Sequence, residues 1–147
     1  MQRWPHWRIV TQGGHNRPTD VVWWDVSSAL RSLAKLDFCY LTTKGRKSGK
    51  RRTIEIWFAA GGKPRTLYLL SGGRDSSDWV KNIRRDPRVT LKLGDERFSG
   101  RARILDKGEE DARARRLLAA KYEGWSDGRA LSGWARTSLP VAIDLEV

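Results

Sequence analysis

The feature that most limits how this chain can fold is a series of short β-type segments, each closed by a turn signal. FCYLTT, TIEIWFAA, TLYLLS, VTLKL, FSGRARIL and VAIDLEV carry many β-branched and aromatic residues. Gly45 and Gly49, Gly61-Gly62 and Gly94-Asp95 fall between them and supply the turns that antiparallel strands need. TLYLLS is expected as the third strand of a meander that begins with FCYLTT. Two helical segments interrupt the pattern. DSSDWVKNIRRD has Asp75 or Ser76 as its N-cap and stops before Pro87; EEDARARRLLAAKY carries acids in its first turn, as the helix dipole favours. A further amphipathic helix is expected from Asp20, with Val22, Val26, Leu30 and Leu33 at three- and four-residue spacing. The expected class is α+β, a small antiparallel barrel of about six strands with two or three flanking helices.

A chain of 147 residues forms one domain of this kind. Residues 1–19 mix Trp4, Pro5, Trp7, Gly13, Gly14 and Pro18 without helical or strand periodicity, so they read as a poorly ordered lead to a domain over 20–147. No apolar run approaches the ~18 residues that cross a bilayer, and MQRWPHWRIVTQ has no secretory apolar region. A cytoplasmic address is expected. Cys39 is the only cysteine and His6 and His15 the only histidines, too few soft ligands for a zinc site. Both histidines lie in the lead, and no G-x-S-x-G or G-x-G-x-x-G motif occurs, which argues against Ser-His hydrolysis. Acids such as Glu109 and Glu110 read as solvated helix charge rather than a catalytic pair.

The formal charge of +12 attracts anions. Its focus is the turn KGRKSGKRR, where Lys44, Arg46, Lys47, Lys50, Arg51 and Arg52 flank Ser48. Glycine amides and Arg forks suit phosphate or carboxylate, while a solvated turn and a nucleic-acid backbone are the competing readings. No zinc-finger, RNP or helix-turn-helix signature supports specific nucleic-acid binding. Alternation in TIEIWF sends Ile54, Ile56 and Phe58 to the core; Thr53, Glu55 and Trp57 share the other face with Arg51, as a pocket wall would. Ser71-Gly72-Gly73-Arg74 joins a strand to a helix, an arrangement that can bind an anion. On that helix Trp79, Asn82 and Ile83 share a face, and a buried Asn82 amide would seek partners that a ligand could supply.

LTTKGRKSGKRRTIEIWF, YLLSGG, DWVKNIRRDPRVTLKLG and RFSGRARIL, in this order and spacing, resemble the deazaflavin-dependent nitroreductase and quinone reductase family of split β-barrel flavin oxidoreductases. The resemblance runs from about Leu41 to Leu105 and implies a split barrel holding coenzyme F-420. It places Arg46, Lys47, Ser48, Lys50 and Arg52 at the coenzyme's phosphate and acidic tail, and Ser71 and Gly72 near its ring. Trp57 would be a ring platform or simply cover the barrel, and Trp79 and Asn82 would line the cleft. Ser71 and Tyr122 are the implied hydrogen-bond donors in catalysis, with Tyr122 and Trp125 closing the substrate pocket. The implied reaction is hydride transfer to a quinone, a nitroaromatic or another activated unsaturated compound. One departure is Glu55, where many relatives carry proline; it would pair with Arg51 or Arg52 at the surface, or else select the substrate or disfavour the acidic coenzyme. The alternatives are a split-barrel protein holding FMN or haem, and a non-catalytic basic module for nucleic acid or anionic lipid. A homodimer and peripheral membrane association are both compatible with the basic surface.

Overall fold

The computed structural model describes residues 30–146. The lead over 1–19 and most of the helix expected from Asp20 lie outside them; residues 30–33 form a helical turn. Seven strands follow: β1 (Cys39–Lys44), β2 (Arg51–Ile56), β3 (Ala59–Ala60), β4 (Thr66–Ser71), β5 (Arg88–Leu93), β6 (Glu96–Ile104) and β7 (Leu139–Leu145). A 3-10 turn over Arg74–Ser76 leads into helix α1 (Asp78–Arg85); α2 (Glu109–Glu123) and α3 (Gly133–Thr137) precede β7. The N-cap of α1 is Ser77, not Asp75 or Ser76, because the 3-10 turn occupies those positions. The short α3 was not expected from the sequence.

All the strands form one antiparallel sheet in the order β2-β1-β5-β6-β7-β4-β3. Its two edge strands, β2 and β3, are separated in sequence only by Trp57 and Phe58. Two intervening residues keep the edges within about 11 Å of each other at that end. The sheet therefore curls into a half-barrel clasped at the Trp57-Phe58 crossover. One expected strand becomes two here, since the chain leaves one sheet edge and joins the other. TLYLLS is correspondingly not the third strand of a meander: β4 pairs with β3 across Gly61-Gly62 and with β7 on its other side.

β4 is buried at all six positions because each of its faces meets a different core. Leu67 and Leu69 pack inside the curl with Leu41, Leu91, Val141 and Ile143, and α1 adds Val80 and Ile83. Tyr68 and Leu70 point outward, where α2 covers them with Ala114 and Leu118. At about 1.5–3 kcal/mol for each fully buried Leu or Ile, these two cores supply most of what fixes strand parity. A polar girdle closes the outer core. Arg103 on β6 holds Glu110 of α2 through paired bonds of 3.1 and 3.0 Å, and reaches Asp144 of β7 as well. Glu110 is thus part of the architecture, where its place on the helix had suggested solvated charge.

The clasp has its own fastening from α2. Tyr122 Oη accepts from Phe58 N at 3.1 Å and lies 2.7 Å from Asp37 O and 3.0 Å from Phe58 O, which share its proton. Lys121 Nζ donates to Leu36 O at 2.7 Å, Phe58 O at 2.9 Å and Ala34 O at 3.0 Å, and sits 3.8 Å from the centre of the Phe58 ring. Burial pulls the lysine's pKa down, but three carbonyls match its three protons. Lys121→Met leaves those carbonyls without a donor. Urea unfolding should show a loss of about 2–4 kcal/mol; an unchanged midpoint would mean the clasp closes without the lysine.

Candidate cofactor site

The tip of the β1–β2 hairpin is compact. Gly45 N donates to Lys50 O at 2.7 Å, and Gly49 N to Gly45 O at 2.8 Å. Gly49 adopts φ +76°, a left-handed conformation that glycine reaches without strain. Ser48 Oγ accepts from Lys50 N at 3.1 Å, so its hydroxyl helps to form the turn. A methyl group at Gly45 would lie 3.0 Å from Lys50 O, which leaves the tip little room to change shape.

Helix α1 holds this tip through Asn82, which is 3% exposed. Its Oδ1 accepts from Arg46 N at 3.1 Å and Arg46 Nη1 at 2.9 Å; its Nδ2 donates to Thr43 Oγ1 at 3.0 Å. Arg46 Nη2 also meets Asp78 Oδ1 at 3.2 Å. The amide that the sequence offered to a ligand is thus satisfied by the chain's own hairpin. Arg46 is likewise a tie between tip and helix rather than a free cation. Between the tip and α1 lies a hollow of about 640 Å³, lined by Arg46, Lys47, Ser48, Arg52, Trp79 and Asn82 among others. Lys47, Arg51 and Arg52 border it and make no ion pair with any described residue, while the single lining carboxylate, Asp78, is taken by Arg46. Its field therefore favours anions. Lys50 stands exposed on the tip, outside this lining.

Four other expected residues gather elsewhere, around the clasp and the end of β4. Trp57 is 47% exposed and stacks on Tyr122, ring centres 4.2 Å apart and planes within 3°. Trp134 of α3 meets Trp57 edge-on at 5.5 Å, and Gly72 lies against Trp134, whose Cδ1 would be 3.8 Å from a methyl group there. Together these form an aromatic shelf. Ser71 is almost fully buried; its Oγ donates to Arg74 O at 3.0 Å and lies 2.7 Å from Ser77 Oγ. In this structure the hydroxyls of Ser71 and Tyr122 are both bonded within the chain. Trp125 donates Nε1 to Arg129 O in the loop after α2. Trp134 was missed by sequence reasoning; the signal available was Ser132, whose hydroxyl caps α3 by accepting from Ala135 N.

The two groups are connected along β2. Arg51, Thr53, Glu55 and Trp57 share its outward face, so the shelf lies about 13 Å from Thr53 at the hollow's border. Glu55 stands exposed between them and forms no ion pair with a described residue. Its expected pairing fails on strand geometry: Arg51 is about 13 Å away along the strand, and Arg52 points to the opposite face. Among the described residues no three acidic, histidine or cysteine side chains gather as metal ligands.

An anion-seeking hollow and an aromatic shelf, joined along the edge strand of a half-barrel, define a split β-barrel of the flavin-binding kind. Solved structures of the same fold include a conserved hypothetical protein from Mycobacterium tuberculosis, with a TM-score of 0.67 and 21% identity over 82% of this chain and 80% of that one. An F-420-H2 dependent reductase gives 0.54 and 25% over 75% and 94%. A third, described as a domain-swapped dimer, gives 0.54 and 25% over 88% and 99%. The chain belongs to the F-420H(2)-dependent quinone reductase family, whose sequence profile matches residues 22–146.

Proposed function

We propose that this chain is a reductase that holds coenzyme F-420 along the edge strand β2 and uses it to reduce quinones, nitroaromatics or other electron-poor acceptors. The observation that carries this reading is the continuity, along edge strand β2, of cations that make no ion pair with a described residue and an exposed tryptophan, long enough for an elongated coenzyme with an acidic end. A compact phosphate, as in FMN, would need fewer of these cations. When bound, the coenzyme supplies the hydride. Lys47, Lys50 and Arg52 attract and hold its phosphate and carboxylates, beside the Ser48 turn. Arg46 and Asn82 keep the walls of the hollow in place, and Trp79 forms part of its side. Trp57 provides the platform for a planar ring, braced by Tyr122 from behind and by Trp134 at its edge. Ser71 and Gly72 shape the turn that lets Trp134 approach. The acceptor's proton comes from solvent, since the shelf hydroxyls are already bonded.

The test is a fluorescence titration of the purified protein with F-420, FMN and a short DNA at two salt concentrations, repeated for Lys47→Ala/Arg52→Ala. F-420 should bind, and the double variant should bind it about 10- to 100-fold more weakly, with a shallower dependence on salt. Binding of FMN or DNA in preference to F-420 would overturn the proposal.

A further inference from the structure

Beside the aromatic shelf stands Glu55, exposed and without an ion pair to any described residue. It precedes Trp57 by two positions, so the two share a face of the strand about 7 Å apart. Opposite Glu55 on β1 is Tyr40, whose ring meets that of Phe38 edge-on at 5.6 Å. Cys39 faces Ile56, which brings Phe38 beside Trp57; these are the two exposed large hydrophobic side chains among the described residues. A second exposed carboxylate, Asp37, comes just before Phe38, and it too has no ion pair with a described residue. Its backbone is fixed at the shelf, since Asp37 O lies 2.7 Å from Tyr122 Oη. Its charge reaches there as well: burial chiefly raises the Tyr122 pKa, and the negative charge of Asp37 adds to the rise. Two lysines near this corner are occupied. Lys121 lies 5.1 Å from the Tyr122 ring centre but donates to three carbonyls, and Lys92, across β1 from Glu55, leans over Tyr40 at 5.7 Å. Arg51 of the basic turn is about 13 Å from Glu55 along the strand, and at physiological salt charges fade beyond about 8 Å. In a chain of net charge +12, the shelf therefore has a local field of its own, aromatic and acidic.

We propose that Glu55 sets the charge preference of this reductase, favouring acceptors that carry a positive charge and turning away anionic ones. The inference rests on the reductase reading and deepens it by naming an acceptor class. Aromatic faces attract cations through their ring electrons, and a carboxylate at their edge adds to that attraction while it repels sulfonates and carboxylates. Asp37 acts in the same direction from the other side of Phe38. A charged group carried on the acceptor feels the same attraction before and after the ring is reduced, so the effect falls on KM rather than on kcat. The coenzyme is spared, because its acidic end is read at the hairpin tip, beyond the reach of Glu55.

Steady-state kinetics with two matched naphthoquinones, one bearing a trimethylammonium group and the other a sulfonate, test this. The quantity compared is the ratio of kcat/KM, cation over anion, because the quinones' own reactivity cancels between protein variants. Glu55→Gln should lower the ratio about fivefold or more and Glu55→Lys about twentyfold or more, chiefly through KM. Glu55→Asp should stay close to wild type, and all the differences should shrink in about 1 M salt. F-420 affinity should change by less than about twofold throughout. A second measurement needs no coenzyme: quenching of Trp57 fluorescence, taken as the difference from the same chain carrying Trp57→Phe. In Glu55→Lys this quenching should be weaker with a pyridinium cation and stronger with iodide than in the wild type. Equal quinone ratios for the wild type and Glu55→Lys would overturn the proposal, as would a Glu55→Gln that tightens F-420 binding and leaves the ratio unchanged. Absence of turnover with every quinone would overturn the reductase reading instead, and the quenching then decides whether Glu55 governs charge at the shelf.

Discussion

Replacing Asn82 by leucine should lower the unfolding free energy by about 2–4 kcal/mol and weaken F-420 binding on the order of a hundredfold. The two side chains are close in size, so little of the loss comes from packing. What disappears is the acceptor for Arg46 N and Arg46 Nη1 and the donor to Thr43 Oγ1. A buried backbone N–H and a buried hydroxyl then lack partners, and the hairpin tip is no longer held against α1. The binding loss follows from geometry: Lys47 and Arg52 remain, but the wall that gives them a fixed spacing moves. Asn82→Asp is the informative control. It keeps both bonds from Arg46, and the Thr43 hydroxyl can turn to donate to the second carboxylate oxygen, so it should stay closer to wild type than leucine does in urea unfolding. If Asn82→Leu bound coenzyme normally, the hollow would not be the coenzyme site.

The second large effect is expected at Arg103, and it depends on pH. Arg103 Nε lies 2.5 Å from Asp144 Oδ2, and its two terminal nitrogens bridge both Glu110 oxygens. Hydrogen bonds from Arg103 pull Glu110 down to about 2, helped by Tyr68 and Lys63. The same guanidinium holds Asp144 below the ordinary carboxylate range, with Thr66 assisting. A carboxylate depressed in the folded state stabilises the fold fully above its unfolded pKa, near 4, and loses that contribution as pH falls toward the folded value. Arg103→Met should therefore cost about 1–3 kcal/mol near pH 7, after allowance for the partial exposure of Arg103 and Asp144. The difference from wild type should shrink toward zero near pH 2. Denaturant titrations across that range check the sign as well as the size; a gap independent of pH would mean that Arg103 contributes by packing its stem.

Much of this architecture can be read from residue order, because its elements are short and sharply punctuated. Hydrophobic alternation placed Ile54, Ile56 and Phe58 on the core side of β2 and Thr53, Glu55 and Trp57 on the other, as the structure has them. What alternation does not carry is partner choice. TIEIWFAA reads as one strand because both halves are β-formers; only the sheet order reveals that they serve opposite edges. For the same reason TLYLLS could not declare that its two faces meet different cores. The basic tip, Trp79 and Asn82 were legible as a group because they are concentrated in two short motifs. Their hydrogen-bond partners were not, since Asn82 and Arg46 are brought together by folding across 36 residues. Charge marked the tip, but it did not distinguish Arg46, which braces it, from Lys47 and Arg52, which make no ion pair with a described residue. Trp134 stayed hidden because it lies in a five-residue helix whose position is set by tertiary contacts, among them Arg115 donating to the carbonyls of Ala135, Arg136 and Ser138.

The crossover at Trp57-Phe58 has a consequence for how such a protein can diversify. The exposed ring and the buried ring are consecutive residues, and Phe58 lends its N–H and C=O to the fastening by Lys121 and Tyr122. On the proposed reading, topology and the coenzyme platform are therefore written into the same few codons, and an altered platform is also an altered seam. If the shelf is that platform, new acceptor range is cheapest to acquire through Glu55 or Trp134, which flank Trp57 without stitching the sheet edges together. The seam itself should drift most slowly of all.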